Sequence, residues 1–312
     1  MNLLHGPAIA NLCDYDFGDQ AGCLGGVEGA FMEEANEGNV HFIQRIKDYG
    51  VMTLFIDNIR LYKRPLKAGT PHDQERVNHL MEKNDLMHLL AEILLFKPHT
   101  EFIIFCNNED TPITEDIQDK IPPNVRAIYA ANAIGYGGKL RPFPYGLGRP
   151  LVKGCTKHDL LKISMREERK PRKLLYVNHA EHTNLSERGN IREMFKDKSY
   201  ATVDERVSYI EYVNQIKDHK FMICPEGNAV DCHRNWEVLC LKRVPIMKMN
   251  RYLAECYKEY PILWVEDFAK INKTLLAEND DLFIRARNLD ENMLDLYTRF
   301  NRAVRDAKSL GS

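Results

Sequence analysis

The chain lacks the fingerprints of several large enzyme classes. No G-x-G-x-x-G run follows an apolar strand pattern, which argues against a nicotinamide-dependent enzyme. No G-x-x-x-x-G-K-[ST] run is present, so the commonest kinase-type phosphate loop is missing. Eight cysteines, at 13, 23, 106, 155, 224, 232, 240 and 256, form no C-x-x-C pair, which disfavours a zinc ribbon. The formal charge is only −2 and no long run carries one sign. A nucleic-acid partner would need a basic field that this balance does not supply. No stretch approaches the roughly 20 apolar residues that span a bilayer. The opening MNLLHGPAIA places His, Gly and Pro where a secretory signal needs an apolar core. Several cysteines sit inside apolar runs, where a free thiol acts as a small hydrophobe. Together these point to a reduced, cytoplasmic protein with no membrane span.

At 312 residues there is room for one large or two medium domains, and 44% apolar content is enough for a substantial core. Val51 to Ile56 reads as a strand ending at Asp57 and Asn58. Residues 72 to 96 have helical character, with Leu80, Leu86, Leu89, Leu90 and Ile93 on one face. Phe102 to Cys106 is apolar throughout, as in a strand buried on both faces. Pro122-Pro123 punctuates before a strand over Val125 to Ala131. Gly135 to Pro150 is rich in Gly and Pro and reads as loop. Its Tyr136, Phe143 and Tyr145 can line a sugar cleft or simply pin the loop to the body. Lys173 to Val177 opens a second sheet, and Asn184 with Glu187 has capping-box spacing. Arg188 then falls in a first helical turn, able to point at an anion. His179 and His182 invite a zinc reading, but no third ligand is near in sequence. Val203 to Ile216 reads as a helix, with Val207, Ile210, Val213 and Ile216 three residues apart. Ile262 to Val265 is a last strand, and Leu289 to Leu310 an amphipathic helix. Alternating strands and helices predict parallel sheets covered by helices.

The most informative stretch is Phe221 to Ile246, FMICPEGNAVDCHRNWEVLCLKRVPI. An apolar strand runs to Cys224, and Pro225, Glu226, Gly227 and Asn228 break it. Asp231 is placed to cap a helix on which Trp236, Leu239, Cys240 and Arg243 recur at helical spacing. Val244 to Met247 is the next strand. A strand-to-helix loop of an α/β sheet is where ligands bind, and a helix start attracts anions. His233 and Arg234 add donors there, and Glu237 lies one turn below His233. A diphosphate with its ribose hydroxyls would suit this arrangement. An ordinary α/β unit with solvated charges has the same pattern.

The run CPEGNAVDCHRNWEVLCLKRVPI resembles the nucleotide-sugar motif of exostosin-like glycosyltransferases. LLYVNHAEHTNLSER is similar to that family's first strand and loop in the same domain, and NLCDYDFGDQAGC to a segment of its short bacterial and viral members. Ala229 stands where Gly is common, and Cys232 where Thr or Ser is common. The resemblance implies a GT-B fold: two Rossmann-like α/β domains facing across a cleft, with the last helix packing across both. The expected boundaries are 1–155 with helix 289–310 for the acceptor domain, and 156–288 for the nucleotide-sugar domain.

It also implies an inverting transfer of a sugar from a UDP-sugar to a glycan hydroxyl, forming a β-linkage. UDP-xylose is slightly preferred over UDP-glucuronate and UDP-galactose as donor. The donor-binding candidates are Asn178, Thr183, Arg188, Pro225, Glu226, Gly227, Asn228, Asp231, His233, Arg234 and Glu237. A carboxylate must take the acceptor's proton, and Asp14, Asp16 and Asp19 are the candidates, the first two ahead. Tyr15, Phe17, Tyr136 and Tyr145 are the acceptor-binding candidates. The donor half has no Asp-x-Asp triplet, so catalysis is expected to need neither a metal nor a cofactor. The rival readings are a sugar-nucleotide epimerase or phosphorylase on the same fold, and a glycan-binding subunit without activity.

Overall fold

The computed structural model describes residues 9, 12–16, 50–57, 85–96, 99–107, 112–148 and 157–310. Among them, no helix is long and apolar enough to cross a membrane. The chain divides into two units between Pro144 and Tyr145, and the segment from Leu296 onward returns to the first unit. Phe17, Asp19, Leu80 and the first half of the helix expected over 72–96 lie outside the described residues.

The first unit holds a five-stranded parallel sheet. Its strands are β1 (Tyr15–Asp16), β2 (Val51–Asp57), β3 (Glu101–Asn107), β4 (Val125–Ala130) and β5 (Leu140–Pro142), in that spatial order. β2 and β3 are apolar along their length because both faces are covered: Leu54, Ile56 and Phe102 to Phe105 are fully buried. The helix Asp85–Phe96 buries Leu86, Leu89, Leu90 and Ile93, the face expected from their spacing. β5 corrects the reading of 135–150 as loop throughout. Gly137 and Gly138, both at positive φ, turn the chain so that three residues can pair with β4. The last helix, Leu296–Ser309, starts later than expected, because Asp290 first caps a separate 3-10 turn over Glu291–Leu294. It groups with the first unit. Phe300 lies 4.7 Å from the Phe105 ring, and the Tyr129 hydroxyl donates to Ala303 O at 2.8 Å.

The second unit also holds five parallel strands. They are β6 (Lys173–Val177), β7 (Ala201–Val203), β8 (His219–Ile223), β9 (Val244–Lys248) and β10 (Leu263–Val265). Their spatial order is β7-β6-β8-β9-β10. The chain winds outward from β6 to β7, then reverses and adds β8, β9 and β10 on the other side. That doubly wound order leaves a crevice at the strand ends where the winding reverses, between β6 and β8. Leu175, Val177, Phe221, Ile223, Val244 and Ile246 fill the core on one face, with Phe268 and Phe283 packed on them.

The helix expected over Val203 to Ile216 is shorter than its pattern. Val203 ends β7, and the helix runs Tyr209–Asp218 from a capping box between Ser208 and Glu211. A three-residue step creeps around a helix of 3.6 residues per turn. Val213 and Ile216 are therefore buried and Ile210 is 43% exposed, whereas Val207, 38% exposed, precedes the cap and is not on the helix.

Candidate functional site

Two loops leave the sheet at the reversal. One runs from Asn178 to Arg188 beyond β6, the other from Cys224 to Cys232 beyond β8. Arg188 ties them together. Its Nε donates to Glu226 O at 2.7 Å and Nη2 to Pro225 O at 3.0 Å. Its Nη1 donates to Ala180 O at 3.0 Å and Thr183 Oγ1 at 2.5 Å, and Nη2 also reaches Cys232 Sγ at 3.7 Å. The guanidinium is only 4% exposed and its donors are spent on protein. The anion contact expected of Arg188 is thus replaced by a staple between loops. Gly227 allows the approach, since a Cβ there would meet Arg188 Nη2 at 2.7 Å. Asn184 caps the short helix Leu185–Arg188 through Glu187 N, and its Nδ2 donates to Gly227 O at 3.2 Å. Asn178, 8% exposed, turns to Glu205 O.

The helix His233–Cys240 begins differently from the expectation. Its N-cap is Cys232, and no side chain caps its first amides. Asp231 does not cap; it is fully buried, with its carboxylate accepting from Tyr145 N, Asn235 Nδ2, Trp236 Nε1 and the Tyr257 hydroxyl. A ligand contact by Asp231 is excluded by that burial. Burial pushes its carboxyl above the usual range, against the pull of those donors. His233 stacks on Tyr145, ring centroids 4.5 Å apart, and its Nδ1 meets Gly146 O at 2.7 Å. Tyr145, 8% exposed, therefore pins its loop to the second unit. Phe143 packs at 5.4 Å against Phe105 in the first unit's core.

Arg234 stands apart from this internal bonding. It lies in the first turn of the same helix, half-buried, and its Nε is buried without a hydrogen-bond partner. Among the described residues no ion pair holds its guanidinium. Glu237, one turn on, accepts from the Tyr209 hydroxyl at 3.1 Å and the Tyr212 hydroxyl at 2.9 Å. Burial raises the Glu237 carboxyl, while Tyr212 and Arg234 act to lower it. Sequence reasoning missed Tyr209 and Tyr212. Their three-residue spacing behind a Ser208–Glu211 capping box was the available signal.

His179 ends the β6 side of the crevice. It is 1% exposed, and its Nε2 bonds Arg188 O at 3.2 Å. A carbonyl can only accept, so Nε2 carries a proton. Burial, then the nearby Arg234 charge, lowers its pKa to about 4. Burial also lowers His158 and His219. Between a pH of about 6.5 and about 4 the unfolded chain binds protons that the folded chain refuses, so stability falls as pH drops through that window. His179 alone accounts for up to about 3 kcal/mol at the acid end. The melting temperature should fall from pH 7 to 4.5, less steeply in His179→Gln. A flat profile in the wild type would contradict this.

Glu226 is half-buried on the β8 loop. Burial raises its carboxyl, the neighbouring Glu187 raises it further, and Lys248 and Asn250 pull it down. Lys248, at the end of β9, pairs with Glu187 Oε2 at 2.7 Å. Asn228 is exposed at the tip of the loop.

The structure thus brings Asn178, Thr183, Arg188, Pro225, Glu226, Gly227, Asn228, Asp231, His233, Arg234 and Glu237 to one end of the second sheet. It does not give them one role. Arg234, Glu226 and Glu237 are half-buried and Asn228 is exposed, whereas Arg188, Thr183, Asn178, Asp231 and His233 bond to other parts of the unit. Asp14, Tyr15, Asp16 and Tyr136 belong to the first unit. There Asp14 Oδ2 accepts from Thr53 N at 2.7 Å and Thr53 Oγ1 at 2.8 Å, which ties it to β2. Among the described residues no three His, Cys, Asp or Glu side chains group as metal ligands, and His182 is exposed. No family model matches the chain, and no curated protein does.

Proposed function

We propose that the protein is an exostosin-like glycosyltransferase with GT-B organisation, moving a sugar from a UDP-sugar to a glycan hydroxyl. The observation that carries the reading is Arg234: a cation whose Nε has no hydrogen-bond partner, in the first turn of an uncapped helix, at the reversal of a doubly wound sheet. As the glycosidic bond breaks, negative charge builds on the leaving diphosphate. A preorganised cation and helix amides stabilise that charge more than they stabilise the ground state. Arg234 and the amides of His233 and Arg234 supply these donors, and the reading assigns the leaving group to them without a metal.

Glu237 fits the ribose. A carboxylate has about four acceptor positions, and its two tyrosine bonds leave capacity for ribose hydroxyls. In this proposal the acceptor's proton goes to Asp14, Asp16 or Asp19, and the sugar inverts to a β-linkage. Asp14→Asn keeps an oxygen for Thr53 N, so it should fold normally and bind UDP while losing transfer; Asp16→Asn should do likewise. Full transfer by both variants would remove that segment from the chemistry.

A thermal-shift screen over UDP-, GDP- and dTDP-sugars tests the donor, because a ligand that binds only the native state raises its melting temperature. The UDP series should stand out. A labelled UDP-sugar then separates the rivals. Sugar appearing on an added glycan supports transfer. An isomerised sugar nucleotide without an acceptor means an epimerase, a sugar phosphate formed with added phosphate means a phosphorylase, and glycan binding with an intact donor means an inactive subunit.

A further inference from the structure

We infer that the site selects a neutral glycosyl donor and disfavours a uronic-acid one, an inference that rests on the nucleotide-sugar reading above. The two loops at the reversal are tied at Glu226 O by Arg188 and at Gly227 O by Asn184. Glu187 lies between those two tying residues in sequence, so its carboxylate is brought against the Glu226 loop. The pair of carboxylates faces one lysine. Lys248 is committed to Glu187 Oε2 at 2.7 Å, while Glu187 Oε1 is buried without a hydrogen-bond partner. Glu226 forms no ion pair of its own among the described residues and shares the field of Lys248 with Glu187.

The other cations on these loops are engaged. Arg188 is spent on the carbonyls of Ala180, Pro225 and Glu226. Arg192 lies at 3.6 Å from Glu181 and 3.8 Å from Glu205, and donates to His179 O. Arg234 remains, and in the proposed complex the diphosphate takes it. A second anion on the sugar finds beside Glu226 only Lys248, which is already shared between two carboxylates. It also meets those carboxylates, and like charges held together in a partly buried site oppose binding. Sugar hydroxyls, by contrast, are donors, and the half-buried Glu226 carboxylate is an acceptor. The chemistry of the pocket wall therefore matches a hydroxyl-only ring such as a hexose or pentose.

UDP-glucose and UDP-glucuronate differ only in a carboxylate, so they isolate this effect. Calorimetry with UDP, UDP-glucose and UDP-glucuronate on the wild type should show UDP bound and UDP-glucose at least tenfold tighter than UDP-glucuronate. Glu226→Gln removes a charge without touching the main-chain bond to Arg188, and should narrow that gap severalfold. Equal affinity for the two sugar nucleotides, or a gap unchanged in Glu226→Gln, would overturn the selectivity while leaving the nucleotide site standing. No binding of UDP itself would overturn the underlying reading, and the selectivity with it.

Discussion

Arg188→Ala should lower the melting temperature by about 10 °C, at 2–4 °C per kcal/mol for a domain of this size. The cost comes from acceptors rather than from a lost ion pair. Pro225 O and Glu226 O lose their arginine donor when the guanidinium goes, while Ala180 O keeps the Thr183 hydroxyl. An orphaned buried acceptor costs about 1–3 kcal/mol, so two of them amount to about 2–6 kcal/mol. Removing a buried charge returns some desolvation energy, but the staple also holds two loops whose ends stay open without it. Arg188→Lys should recover little, since one ammonium cannot span both loops as a planar fork does. Gly227→Ala should move in the same direction by a smaller amount, because its methyl would displace Nη2 from Pro225 O. Differential scanning calorimetry checks all three. A variant that melts like the wild type but loses UDP would mean that Arg188 contacts the ligand after all.

Arg234→Ala should do the opposite. UDP affinity should fall about 10- to 100-fold, because a charge-assisted hydrogen bond contributes about 1.5–3 kcal/mol and each 1.4 kcal/mol is a factor of ten. The melting temperature of the unliganded protein should move less than in Arg188→Ala. Arg234 Nε has no protein hydrogen bond to lose, and the cost of burying its charge is offset by the pull of Tyr212, Cys224, Cys232 and Glu237. Two arginines of one crevice thus separate cleanly, one read in the melt and the other in the titration. An Arg234→Ala protein that unfolds early while binding UDP normally would reverse their assignments.

The strands were legible because they are buried on both faces. Phe102 to Cys106 and Val244 to Met247 carry no polar residue, and nothing but a strand between helix layers needs that. Two short strands were not legible. Ala201–Val203 adjoins a helical pattern, and Leu140–Pro142 sits within a Gly- and Pro-rich run, so each is fixed by its neighbour strand rather than by its own residues. The order β7-β6-β8-β9-β10 could not be read either, since strand order is set by pairing across long sequence separations. Within the site, the crowding of polar groups after β6 and β8 was visible, but their division of labour was not. Asp231 and Arg234 both looked like ligand contacts. One is buried under Trp236, Tyr257 and Tyr145, and the Nε of the other is left without a hydrogen-bond partner. Spacing along a helix says which residues share a face. It does not say which carbonyls the opposite loop will present to them.

The most direct measurement is a crystal structure of the protein with UDP bound. A diphosphate oxygen should lie about 3 Å from the Arg234 guanidinium, beyond the ends of β6 and β8, with the ribose against Glu237. UDP found elsewhere on the molecule, or seated with Arg234 turned away from its phosphates, would contradict the assignment of this crevice.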